Sequence, residues 1–300
     1  MKRYLLASHS ALALLGLAGV SSCRSGDESV EATCEDPTID AGDPYEPAFD
    51  AGSAPAFKIL LYTYSTGFRH DSIPDGIAAI LALGAVNGFG VEVKGTRLSP
   101  RGTMCANRPE PADVAYFRAE TISSYAAVVF LHTTTMQTPS SALLDDTGKA
   151  ALEAYVRGGG GFVGIHAAAD AEYGWPFYHD VLGATFLDHG PAVESSLRIE
   201  DATHPAASAI PNPWSRYDEW YDFTQNPRPA AHVLINLDES TYPDNPRPMG
   251  DHPIAWCKVM GEGRSFYTGL GHTKEAFRDG TVLRHLLGGI LYASGKMALR

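Results

Sequence analysis

Five side chains spread along the 300-residue chain are of the types that acid–base chemistry needs: His70, His166, His189, His272 and Glu219. Imidazole titrates near neutral pH, and a carboxylate buried among aromatic rings has its pKa raised, so together they can move protons on a substrate. His166, Glu219 and His272 are the expected catalytic groups. Arg69 and Asp218 are chain neighbours of His70 and Glu219. Arg69 suits anion or hydroxyl recognition, and His70 hydrogen bonding or proton transfer. The flat faces of Tyr173 and Trp175 suit the apolar faces of sugar rings. With His189, Asp218 and Tyr221 they complete the expected substrate-binding set. Several routes are missing from the sequence. It has no Gly-x-Cys-x-Gly and no Gly-x-Ser-x-Gly nucleophile turn, and no glycine-rich phosphate loop follows the first strand. Histidines with a carboxylate can form a nitrogen–oxygen site for a zinc-like divalent ion. No His-x-x-x-His or His-x-His pair supports one here, so no cofactor is expected from the spacing.

The elements that must carry these groups read as alternating strands and helices. Apolar residues at Leu144, Ala151, Leu152, Tyr155 and Val156 form one face of a helix. Gly158 to Gly161 stop that helix, because glycine reaches the left-handed conformation of helix ends. Phe162-Val163-Gly164-Ile165 is a short buried strand, and His166 follows at once in a turn of small residues. In open α/β sheets, ligands bind just beyond the carboxyl ends of the strands. The same edge should receive the loop after Phe57–Tyr62, which holds Arg69 and His70. It should also receive the loop after Ala126–Leu131, which holds His132 and three threonines whose hydroxyls could line a pocket, and Gly269-Leu270-Gly271-His272 after Arg264–Thr268. Asp71 or Ser72 is placed to cap the next helix, with Pro74 in its first turn. Tyr217 to Phe223 reads as one strand whose alternation puts Glu219, Tyr221 and Phe223 on one face and Asp218, Trp220 and Asp222 on the other. His204 precedes a proline and reads as a structural anchor.

Phe-Arg-His-Asp-Ser, Gly-Gly-Gly-Phe-Val-Gly-Ile-His-Ala-Ala, Thr-His-Pro, Asp-Glu-Trp-Tyr and Gly-Leu-Gly-His, in that family's order along residues 58–294, resemble the motifs of the ThuA-like (trehalose utilisation) family. The resemblance implies a flavodoxin-like, class I glutamine amidotransferase-like three-layer α/β sandwich with a mainly parallel central sheet. At the elbow where those amidotransferases have a nucleophilic cysteine this chain has His166, so the resemblance carries the scaffold and not the glutaminase chemistry. It implies a carbohydrate substrate, trehalose or a related disaccharide or its keto derivative. Where the family has His-Pro this chain has His189-Gly190.

The remaining calls concern the surroundings. Lys2 and Arg3, an uncharged apolar run from Tyr4 to Val20, and Val20-Ser21-Ser22-Cys23 match a lipoprotein signal, with lipid on Cys23. The expected organisation is a signal peptide over 1–22, a polar tether over 23–56 and one domain over 57–297, held at a bacterial membrane by lipid and exposed to the periplasm or cell surface. The net charge of −12 argues against nucleic acid as a partner. Cys257 reads as a core residue, and Cys34 and Cys105 as a pair that could bridge. Two functions fit: a hydrolase, lyase or isomerase on a carbohydrate, or a lipoprotein that binds carbohydrate without turning it over. A titratable group on a strained elbow favours the first.

Overall fold

The computed structural model describes residues 54–96, 114–138 and 141–296. The expected signal segment, Cys23, nearly all of the expected tether, Cys34 and Cys105 lie outside them.

Eleven strands and five α-helices alternate along the described chain. β1 (Lys58–Tyr62), β3 (Ala127–Leu131) and β4 (Gly161–Ile165) are short and almost wholly apolar, as strands covered on both faces must be. They stand in a nine-stranded sheet of order β2-β1-β3-β4-β11-β10-β9-β6-β7, where β2 is Gly90–Lys94, β6 Val193–Ile199, β7 Trp214–Asp218, β9 His232–Leu237, β10 His252–Met260 and β11 Gly263–Thr268. The five strands from β2 to β11 are parallel, and they are the part of the sheet that positions the site. From β11 outward the pairings turn antiparallel, beginning with the β10–β11 hairpin expected at Gly261-Glu262-Gly263. β5 (Phe186–His189) and β8 (Tyr221–Phe223) form a separate two-stranded ribbon.

Helices cover both faces. Alternation along β4 shows the layering. A Cβ on Gly161 would strike the Ala293 carbonyl of α5 (Gly280–Ala293), whereas one on Gly164 would strike Leu182 of α4 (Pro176–Leu182) at 2.5 Å. A side chain at Gly164 would have to displace Leu182. α1 (Ile73–Asn87) and α3 (Asp146–Arg157) complete the connections, and the short α2 (Ala119–Ile122) precedes β3. Asp145 caps α3 by accepting from the Gly148 amide, and Asp279 caps α5 by accepting from the Thr281 and Val282 amides. Ser72 occupies the cap position of α1 but makes no side-chain cap bond; its hydroxyl faces Nε2 of His132 instead. Cys257 is a buried free thiol.

The segment read as one strand from Tyr217 to Phe223 is two. β7 ends at Asp218, Glu219 and Trp220 form a connector, and β8 begins at Tyr221. The grouping that alternation implied holds for Glu219 and Tyr221 although the strand is broken between them and Asp218. Both Glu219 and Tyr221 reach His166, and Asp218 lies against the backbone of the same site.

Candidate functional site

Four adjacent parallel strands each deliver a histidine beyond their carboxyl ends: His70 after β1, His132 directly after β3, His166 directly after β4, and His272 after β11. His132 and His166 share an uncommon backbone, with φ of 52° and 49°. Non-glycine residues in this left-handed region cost about 1–3 kcal/mol and persist where surrounding structure imposes them. The return aims each imidazole back over the sheet edge rather than along the strand. Gly271, with φ of 114°, provides the same reversal before His272.

The four-residue cluster is His70, His166, Glu219 and His272, whose ligating atoms lie within 4.8 Å of one another. His166 Nδ1–H donates to the Gly269 carbonyl at 2.8 Å, which turns Nε2 inward, as a donor to Glu219 when the ring is charged and as a lone pair when it is neutral. That Nε2 is 3.3 Å from Glu219 Oε2 and 3.3 Å from His272 Nδ1. His272 Nδ1 is 3.1 Å from the same Glu219 oxygen. His189 Nδ1 approaches the other oxygen, Oε1, at 3.2 Å, and also lies 2.8 Å from the Gly190 carbonyl. Glu219 is thus enclosed by three imidazoles. His166 is fully buried, whereas the side chains of His272 and His189 keep 30% and 42% of their surface, so the cluster opens on their side.

Electrostatics follow from this packing. Burial pushes the Glu219 carboxyl upward, but hydrogen bonds from His166 and His272 outweigh it and hold the group well below the usual carboxylate range. The expectation of a raised glutamate is corrected: the aromatic setting was legible in the sequence, and the approach of the imidazoles to 3.1–3.3 Å was not. His272 is pulled down by burial, yet its bond to Glu219 wins and raises it. His70 is driven to about 2 by burial first, and then by the neighbouring His166 and His272. Its ring stacks on His132 at 4.5 Å, and its Nδ1 is buried without a hydrogen-bond partner.

Asp218, expected at the substrate, sits behind the site. It is fully buried and accepts from the amides of Gly271, His272 and Glu219 at 3.0–3.1 Å, tying two site loops to one carboxylate. Tyr221 packs its ring against His166 at 4.2 Å. Tyr173 donates its hydroxyl to Asp170, a carboxyl that burial raises to about 6 and whose charge acts on His166 and His189. Arg69 is not directed at the cluster. Its guanidinium donates to the Thr63 carbonyl, Ser65 and Thr96, closing its own loop, and burial lowers it to about 10. Trp175 is buried, stacked on Tyr178 at 5.7 Å with Lys149 over its ring, and offers no free face. The threonines after β3 are also committed: Thr134 donates to the Phe68 carbonyl and Thr135 accepts from the Glu172 amide. The sequence placed His132 at this edge without giving it a role, and did not single out Asp170. The signal for His132 was its position, since it ends β3 as His166 ends β4.

A surface groove of about 480 Å³ begins one residue past His272, lined by Thr273, Trp214, Arg216, Tyr217 and Asp279. Tyr217 is 56% exposed there.

This is an α/β sandwich whose ligand edge carries a histidine elbow and a histidine-enclosed glutamate in place of a nucleophile. The model of the ThuA family, trehalose utilisation, matches residues 58–293, and the chain belongs to that family. No curated protein matches it. Among solved structures it is similar to a ThuA-like protein from Bacteroides uniformis, at 24% identity and a TM-score of 0.63 over 80% of this chain and 92% of that one. A ThuA-like protein from Parabacteroides merdae is similar at 22% identity and a TM-score of 0.59, over 81% and 91% of the two chains. A cytoplasmic protein of Salmonella typhimurium shares the fold at 12% identity and a TM-score of 0.52, over 79% and 99%.

Proposed function

We propose that this chain is an enzyme acting on a carbohydrate, a disaccharide or its keto derivative, at the cluster around Glu219. One observation carries the reading: a carboxylate held among three imidazoles at 3.1–3.3 Å, with two of those imidazoles reaching the surface. A binding pocket for a neutral sugar gains nothing from an electrostatic cluster of that kind, whereas proton transfer requires one. The family's description, trehalose utilisation, supports the substrate class.

On a keto sugar the chemistry needs no redox step. A base removes the proton from the carbon beside the carbonyl. The electron pair moves into a new carbon–carbon double bond as the glycosidic C–O bond at the next carbon breaks, and the departing oxygen takes a proton. Glu219 and His272 face the opening and meet the substrate, and His272 holds a substrate oxygen. His166, fully buried, acts through Glu219, with its tautomer set by Gly269. The groove at Thr273 and Tyr217 receives the second sugar ring, with the exposed tyrosine face against it. We further propose that the protein is exported and lipid-anchored; Lys2, Arg3, the apolar run to Val20 and Cys23 support this.

The test is NMR of the purified protein in deuterated water with disaccharides and their 3-keto derivatives. New product signals, or exchange of a carbon-bound proton, that vanish in Glu219→Gln are the expected result. Line broadening with intact sugar would instead make the protein a carbohydrate-binding one, and no change with any sugar would remove the substrate class.

A further inference from the structure

We infer that His70, His166, Glu219 and His272 form a binding site for one divalent transition metal ion, zinc or an ion of similar preference. The inference does not depend on the carbohydrate reading and begins from distances. Metal–nitrogen and metal–oxygen bonds of about 2.0–2.1 Å in a tetrahedron place neighbouring ligand atoms about 3.3 Å apart. His166 Nε2, His272 Nδ1 and Glu219 Oε2 are separated by 3.3, 3.3 and 3.1 Å, the edges of one tetrahedral face. His70 offers a ring nitrogen within 4.8 Å of all three, and its Nδ1 is buried with no hydrogen-bond partner. A buried polar nitrogen without a partner is costly, and a ligand is one way to satisfy the ring.

The surroundings have the features that orient metal ligands. His166 donates its outer N–H to a backbone carbonyl, which points the Nε2 lone pair inward. Glu219 keeps its second oxygen on His189. Asp218 fixes the backbone of both Glu219 and His272 through amide hydrogen bonds, so two ligands from distant segments hold one geometry. Three imidazoles and one carboxylate match zinc, iron or nickel rather than calcium or magnesium, which prefer all-oxygen shells. With four protein ligands the tetrahedron is closed, so the ion would tie the four segments together and would meet a substrate oxygen only as a fifth ligand. Ion and proton compete for the same lone pairs, so binding releases protons and weakens in acid.

Zinc titrated into the chelator-treated full-length protein is expected to bind at one equivalent per chain and to raise the melting temperature. Cobalt in its place should give the intense visible bands of a four-coordinate ion. His70→Ala and His166→Ala should weaken zinc binding at least 100-fold, and His189→Ala roughly 10-fold. His272→Ala, at a partly exposed position, tests the site even if a buried substitution disturbs the fold. Absence of saturable binding, or one-equivalent binding unchanged in His272→Ala, overturns the assignment. Loss of carbohydrate turnover with metal binding intact would overturn the function and leave the site standing.

Discussion

Among the described residues two fully buried histidines, His166 and His252, are each set against a glutamate, and the two pairs are built to opposite ends. His252 donates to Glu239 Oε1 at 2.9 Å and lies 2.8 Å from the Tyr221 carbonyl, so both ring nitrogens are engaged. Glu239 also accepts from the amides of Met249 and Gly250. Every valence of that pair is spent within the protein, and it works as a bolt between the antiparallel flank and the loop before β10. At the other pair, Gly269 takes one nitrogen of His166, and what remains faces only other imidazoles. Burial is similar at both glutamates. The difference lies in what their oxygens meet: at Glu239 one ring nitrogen and two backbone amides, which can only donate, and at Glu219 three ring nitrogens, which can donate, accept or bind an ion. Function here is read from valence that the fold leaves adjustable.

Glutamine in place of each glutamate separates the two. The largest effect should fall on turnover in Glu219→Gln, a loss of about 10²–10⁴-fold, because the amide keeps the shape and has no carboxylate base to offer. Its cost in stability stays small, since the new NH₂ can donate to the Nε2 lone pair of neutral His166, whose Nδ1–H stays on Gly269. Glu239→Gln sets an NH₂ group against N–H donors and should cost roughly 1–3 kcal/mol in denaturant unfolding.

A third histidine sharpens the contrast through pH. His285 is fully buried, bonded to the Ala206 carbonyl and Thr268, and burial lowers it to about 4. Because its folded pKa is depressed, the unfolded chain takes the proton first. Stability is complete above about pH 6.5 and falls as pH drops from there towards 4, by about 1.4 kcal/mol per pH unit from this residue. The pH dependence of unfolding should flatten by that slope in His285→Gln.

Much of this was legible in the sequence because parallel strands and glycine-flanked ends have strong local signatures. β4 and its elbow at His166, β11 with Gly269-Leu270-Gly271-His272, and the covered α5 follow from patterns a few residues long. What escaped depended on distant partners. Trp175 has the type of a sugar platform, but Tyr178 and Lys149 cover it. Arg69 has the type of an anion receptor, but Thr63, Ser65 and Thr96 take both of its terminal nitrogens. Ser72 has the type of a helix cap, but His132 claims its hydroxyl. The ligand spacing that argued against a metal assumed neighbours on one helix or strand, whereas the four candidates come from four separate loops.

The most direct measurement is a side-by-side comparison of Glu219→Gln and Glu239→Gln, each followed by denaturant unfolding and by deuterium exchange into a keto disaccharide. The account predicts that the first keeps its stability and loses exchange, while the second loses stability and keeps exchange per folded molecule. Full exchange in Glu219→Gln, or a loss of exchange in both variants in proportion to their lost stability, would contradict it.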